Sequence, residues 1–111
     1  MAVYVSNIVI EQGFDFDTSF ELEDTRTNAA LDLTTASIES KLRKHYGSST
    51  ATTFTSSITN PEGGVVTISL SSTQTVDLKP GRYVYDVKIT NSGKIFKVVE
   101  GAVIVRAGVT R

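Results

Sequence analysis

Apolar residues recur at every second position along most of the chain, most clearly from Leu78 to Thr90. Tyr83, Tyr85, Val87 and Ile89 fall on one face of an extended segment there, and Arg82, Val84, Asp86 and Lys88 on the other. A period of two with aromatic and β-branched residues on one side predicts a half-buried strand. The Pro80-Gly81 step before it is a turn signal, because proline fixes φ and glycine tolerates conformations other residues resist. A tyrosine two residues past such a turn fits the entry to the central strand of an immunoglobulin-like sandwich. Its phenol there bonds back to upstream backbone as a tyrosine corner. Tyr83 is the residue placed for that role, with Tyr85 where antibody domains carry their second disulfide cysteine.

The rest of the chain predicts strands around this one. Val3 to Ile10 reads as an edge strand with Val3, Val5, Ile8 and Ile10 inward, ended by a bend at Gly13. Phe14, Phe16, Thr18, Phe20 and Leu22 alternate with Asp15, Asp17, Ser19, Glu21 and Glu23, so the next strand has an acidic outer face. Asp24 to Ala30 reads as a loop, after which Leu31-Asp32-Leu33 re-enters the core. Ala36, Ile38, Ser40 and Leu42 face inward on a further strand, with Ser37, Glu39, Lys41, Arg43 and His45 toward water. Beyond the turn at Gly47-Ser48-Ser49, Thr50 to Ile58 reads as one Thr-rich edge strand. Asn60 to Gly64 is a turn, and Val66, Ile68 and Leu70 mark the next inner face. The period of two is lost from Ser71 to Lys79; Ser72 is a candidate N-cap for one helical turn near residues 72–78, with Val76 and Leu78 inward. Asn91-Ser92-Gly93 predicts a hairpin into the final strand, Lys94 to Val105, with a bulge at Glu100-Gly101. Seven to eight strands joined by turns describe an all-β, Ig-like antiparallel β-sandwich. It forms one domain over 1–111, with 1–7 and 106–111 as candidate extended assembly arms.

Composition narrows the function classes. A chain of 111 residues buries roughly two-thirds of its unfolded surface, enough for one core without staples. Absence of cysteine excludes disulfides and thiolate chemistry and fits assembly in a reducing cytoplasm. A formal net charge of -1 supplies no global field for nucleic acid or an anionic membrane. Met1 to Ile10 is short and poor in basic residues for a signal peptide. No apolar run approaches the roughly 20 residues of a membrane-spanning helix. The expectation is therefore a chain with neither nucleic-acid nor membrane partners.

Candidate chemistry is thin. His45, the single histidine, lies among Lys41, Arg43 and Lys44, and neighbouring cations disfavour a second positive charge. A solvated strand end explains it more simply than a general base does. Asp15 and Asp17 share a strand face near Glu21 but supply few of the roughly 6–8 oxygens calcium takes. Solubility and edge protection account for them equally well. No catalytic, cofactor-binding or metal-ligating set is expected. Lys41, Arg43, Lys44 and His45 form a basic patch whose complement is the acidic group Asp15, Asp17 and Glu21 on a neighbouring copy. These seven residues are the candidate interface, and a solvated face is the plainer alternative.

Several segments, taken in order, resemble small virion structural proteins of tailed bacteriophages, including the N-terminal domains of baseplate upper proteins. They are Ile10-Glu11-Gln12-Gly13-Phe14-Asp15-Phe16, then Leu31 to Thr34, then the basic-ended strand Ile38 to Lys44. Ser72 to Thr75, Gly81 to Asp86 and Val99 to Val105 complete the pattern. The resemblance implies a non-enzymatic Ig-like module without a cofactor, assembled in the host cytoplasm and resident in the virion. It would dock on the tail, the baseplate or the capsid surface, as a decoration protein in the last case. The implied partners are other virion proteins and further copies of the chain, a homo-oligomer such as a trimer. The alternative expectation is a carbohydrate- or cell-surface-binding β-sandwich module. No fibre-like or receptor-binding region is visible in these residues, so host recognition is not implied.

Overall fold

A computed structural model describes residues 4–24, 29–30, 32–91 and 93–109. The alternation of the central strand is realised as β10 (Gly81–Asn91), in which Tyr83, Tyr85, Val87 and Ile89 are all buried. Antiparallel neighbours flank it: β6 (Ser37–Arg43) on one side and β11 (Lys94–Arg106) on the other. β7 (Thr52–Thr53) extends the sheet past β6, while β1 (Tyr4–Val5) and β2 (Ile8–Glu11) both pair with β11 in parallel. A second sheet carries β3 (Phe16–Glu21), β9 (Val65–Leu70) and β8 (Thr55–Asn60) in that order, all antiparallel. The sheets face each other across one core of Ile8, Ile10, Leu42, Val66, Ile68, Leu70, Val87, Val103 and their neighbours. Phe54 spans the gap, with its ring centroid 6.2 Å from Phe16 on one sheet and 6.2 Å from Tyr85 on the other. The architecture is the expected Ig-like β-sandwich, antiparallel except where β1 and β2 join β11.

The hydroxyl of Tyr83 donates to the carbonyl of Lys79 at 2.7 Å, the bond of a tyrosine corner. The turn before it holds the expected single helical turn, α1 (Ser72–Thr75). Its N-cap is Ser71 rather than Ser72: the Ser71 N–H donates to Gln74 Oε1 at 3.0 Å, half of a capping box. Leu78 is buried as expected, but Val76 is exposed and Thr75 takes the inward position. A helical turn advances by 3.6 residues, so the inward positions are Thr75 and Leu78, three apart.

Other departures share a cause: a strand's phase is set by its partners. Val5 points to solvent, 74% exposed, because Tyr4, Ser6, Ile8 and Ile10 keep one parity along the edge. The bulge expected at Glu100-Gly101 lies instead at Val98. Lys97 pairs with Lys88 and Val99 with Val87, leaving Val98 without a partner across the strand. Both Val98 and Val99 are buried, and the inward positions change from even to odd numbers there. Thr50 to Ile58 is two strands rather than one, since the chain leaves the large sheet after β7 and enters the small sheet as β8. Buried Phe54 marks the crossing. In the expected loop from Asp24 to Ala30, β4 (Glu23–Asp24) pairs with β5 (Ala29–Ala30). Tyr4, Val5 and Arg106, expected in extended arms, are hydrogen-bonded into the sheet. Expectations for Val3, Leu31, Ser92 and the outermost terminal residues lie outside the described residues.

Candidate interaction surface

Cross-strand register fixes which residues share the outward face of the large sheet, because directly paired residues project to the same side. Val9, Ile104 and Arg82 form one row across β2, β11 and β10. Ala102, Val84 and Arg43 form the next. Below it lie Val5, Glu100, Asp86 and Lys41, then Lys97, Lys88 and Glu39. The face is thus apolar at one end and charged in the middle. Lys88 Nζ lies 3.0 Å from Glu39 Oε1 and Lys97 Nζ lies 3.5 Å from Glu100 Oε1. The Lys88 ammonium, hydrogen-bonded to Glu39, holds that carboxyl below its ordinary range.

Tyr46, 76% exposed, rises beside this face at the end of β6. A groove of about 340 Å³ lies on one side of it, lined by Lys41, Arg43, Asp86 and Lys88 among others. A depression of about 280 Å³ lies on the other, lined by Val5, Arg82, Val84 and Ala102 with Asn7 and Glu100. Arg43 Nη1 donates to the Ser48 carbonyl at 2.8 Å, tying the loop that carries Tyr46 back to the strand.

The small sheet presents a different face. Thr55, Ser57 and Thr59 of β8, Thr67 and Ser69 of β9, and Asp17, Ser19 and Glu21 of β3 point outward. Hydroxyls bond one another across it, Ser19 to Thr67 at 2.8 Å and Thr59 to Thr67 at 3.2 Å. Among the described residues, eight large hydrophobic side chains are exposed: Val5, Val9, Phe14, Tyr46, Val76, Ile95, Ile104 and Val109. Five of them, Val5, Val9, Tyr46, Ile95 and Ile104, stand on or beside the large sheet's outer face, and none stands on the small sheet's.

The seven candidate interface residues are not brought together as the alternation implied. Lys41 and Arg43 lie on the outer face of the large sheet. Lys44, of opposite parity, sits with its ammonium 4.8 Å from the centre of the Tyr83 ring, a cation–π contact at the sheet end. His45 is an exposed loop residue. Asp17 and Glu21 point outward from the small sheet, on the far side of the sandwich. Asp15 turns away from both, and its Oδ1 accepts the Ser72 N–H at 2.6 Å, at the start of α1. That contact makes Asp15 a framework residue.

Further framework bonds surround it. Thr75 Oγ1 accepts from Gly13 N–H at 3.1 Å and donates to the Phe14 carbonyl at 2.8 Å. Gln12 Nε2 donates to the Leu78 carbonyl at 3.0 Å. The turn after β2 is therefore stitched to α1, with Gly13 at a φ of 86° where other residues are strained. At the opposite end Tyr85 donates to the Ser6 carbonyl at 2.6 Å, and burial pushes its phenol above its ordinary value while that bond pulls the other way. Sequence reasoning did not single out Tyr46 as the centre of a face. Val84 among Arg82, Asp86 and Lys88 was the available signal, an apolar residue on a side otherwise charged.

No protein-family model matches the chain, and no curated protein sequence matches it. Solved structures resemble it in fold. InlP of Listeria monocytogenes superposes with a TM-score of 0.50 at 16% identity, over 91% of this chain and 26% of its own. A family 123 glycoside hydrolase from Clostridium perfringens gives a TM-score of 0.46 at 14% identity, over 100% of this chain and 24% of its own. The chain spans about a quarter of the length of each neighbour. At these identities the likeness concerns the sandwich alone.

Proposed function

We propose that the protein is a non-enzymatic structural module of a bacteriophage virion, an Ig-like domain that docks on the tail or baseplate or decorates the capsid. The observation that carries the docking part is the uneven distribution of exposed large apolar side chains, five of the eight among the described residues standing on or beside one sheet face. Exposed apolar groups gathered on one side of a domain mark a contact surface. Support for the virion part is the ordered set of segments resembling such proteins, several of which carry the framework. Gly13 makes the turn, Thr75 and Asp15 bind it to α1, and Tyr83 closes the corner. The test is to raise antibody to the chain and probe purified particles of the phage encoding it by immunogold microscopy and mass spectrometry. Regular labelling of one substructure is the expected result. A chain absent from washed particles but abundant in infected lysate would overturn the proposal.

A second reading, a carbohydrate- or cell-surface-binding module, draws on the groove of about 340 Å³ beside Tyr46. An exposed aromatic ring beside Arg43, Asp86 and Lys88 offers stacking and charged hydrogen bonding, the ingredients of a sugar site. Glycan-array binding lost in Tyr46→Ala would favour it over the structural role.

A further inference from the structure

The edges of the two sheets are unequal. In a constant-type immunoglobulin sandwich the first strand lies beside the second, in the sheet opposite the last strand. Here β1 and β2 both pair with the last strand, β11. The small sheet is left with three strands, and among the described residues β3 pairs with β9 alone. Leu22 N–H donates to the Gly64 carbonyl at 2.8 Å, continuing the β3–β9 register. Hydrogen-bonding direction alternates along an antiparallel strand. Phe16, Thr18 and Phe20 therefore address β9, and the N–H and C=O groups of Asp17, Ser19 and Glu21 point out of the edge. The inward side chains are open on the same side: Phe16, Thr18 and Phe20 are only half-buried, while Val66, Ile68 and Leu70 of β9 are fully buried. β3 is six residues long and pairs without a register shift. The opposite edge, β8, has a shift between Ile58 and Asn60 and is followed by Pro61, devices that blunt an edge. β7, at the edge of the large sheet, is two residues long.

We propose that the β3 edge is a strand-addition site for an extended segment of a different protein. That segment is apolar at every second position and carries two Lys or Arg residues, four apart, on its other side. Its backbone takes up the N–H and C=O groups of Asp17, Ser19 and Glu21, and main-chain pairing of this kind supplies the hold. Its apolar side chains cover Phe16 and Phe20. Its basic side chains stand opposite Asp17 and Glu21, and opposite charges facing each other across two strands are favourable. The three strands of the small sheet hold no lysine or arginine, so the sheet itself offers those carboxylates no cation. A second copy of the chain is the wrong occupant. Antiparallel self-pairing about Ser19 sets Asp17 against Glu21 of the second copy, and like charges directly opposite are destabilising. No two Lys or Arg residues anywhere in the sequence are four apart, so no strand of it carries the complementary pattern. The edge is thus built to reject its own kind and accept a basic, alternating partner. It lies apart from the large sheet's outer face, and strand addition neither requires nor excludes a place in a virion.

The test is an NMR titration of the isotope-labelled full chain with the capped peptide Val-Lys-Val-Thr-Val-Lys-Val. Its pattern reads the same in both directions, so either strand polarity presents both lysines to the edge. Saturable shifts centred on β3 are expected, with slower amide exchange at Asp17, Ser19 and Glu21. The peptide Val-Glu-Val-Thr-Val-Glu-Val should bind about three- to tenfold more weakly, the worth of two cross-strand charge pairs. The double variant Asp17→Lys with Glu21→Lys should reverse that preference. Ser19→Pro removes an N–H from the free edge and should abolish binding of both peptides. Circular dichroism confirms that each variant folds, and the charge variant tests the proposal even where the proline variant does not fold. Absence of binding at about millimolar peptide would overturn the proposal. So would equal affinity for the two peptides, or protection that appears on β8 or β6 in place of β3. Slower exchange of the Ser19 amide with rising protein concentration and no peptide would show self-pairing and overturn it as well.

Discussion

Gly101→Ala tests how the first strand is held. A Cβ at Gly101 would lie 2.1 Å from the Ser6 carbonyl oxygen and 2.8 Å from its carbon, both backbone atoms that cannot swing aside. Tyr85 stands opposite Gly101 in the register, and its hydroxyl reaches past that bare position to the same Ser6 carbonyl. Two further bonds close the junction: Ser6 N–H donates to the Glu100 carbonyl at 2.9 Å, and Ala102 N–H donates to Asn7 Oδ1 at 2.9 Å. An added methyl therefore forces the Ser6–Asn7 segment away and strains or breaks three hydrogen bonds together. Strain that costs the equivalent of one such bond, about 1 kcal/mol net, added to overpacking at about 1–3 kcal/mol gives an expected loss of roughly 2–4 kcal/mol. For a domain of this size that lowers the melting temperature by about 10–15 °C. Urea denaturation at neutral pH gives the free energy, and hydrogen exchange reports the Ser6 and Ala102 amides directly. A cycle with Tyr85→Phe sharpens the result. Once Gly101→Ala has displaced Ser6, removing the Tyr85 hydroxyl should cost about 1 kcal/mol less than in the parent. Full additivity, or a Gly101→Ala variant within about 0.5 kcal/mol of the parent with unchanged exchange, would refute the account of this junction.

Three further perturbations follow from bonds already described. Tyr83→Phe removes the 2.7 Å bond to the Lys79 carbonyl and should destabilise by about 1 kcal/mol in chemical denaturation without changing the fold. Asp15→Ala uncouples β3 from α1 and should cost about 1–2 kcal/mol, with faster exchange of the Ser72 amide as its local signature. Alkaline stability checks Tyr85. Its phenol is raised above 10.0 by burial, so the unfolded chain loses the proton first. Its stabilising contribution is complete below pH 10.0 and falls as pH climbs through the folded value. The Tyr85→Phe variant should therefore show a shallower decline above pH 10.0 than the parent, and an identical slope would count against burial as the cause.

How much of this was legible along the chain depended on whether the needed information was local. Tyr83 announces itself through the turn two residues before it, and Val66, Ile68 and Leu70 through simple alternation. Asp15 looked like half of a carboxylate pair. Its bond to the Ser72 amide joins residues 57 positions apart, which no local pattern encodes. The candidate basic patch was contiguous in sequence, yet β-strand parity sends Lys44 to the opposite side from Lys41 and Arg43. Tyr46 gained its setting only when β1 and β11 closed a hollow beside it.

By itself, the order of residues determined that the protein is a β-sandwich, which strand is central, and where that strand's phenol turns back. A repeat of two and a proline–glycine step are short-range facts, and short-range sterics suffice to realise them. Tertiary structure alone decided the phase of β11 beyond Val98, the passage from one sheet to the other at Phe54, and the need for glycine at 101. Each of these depends on which distant strand lies alongside. The alternation of side chains reads the same whichever partner that strand turns out to have.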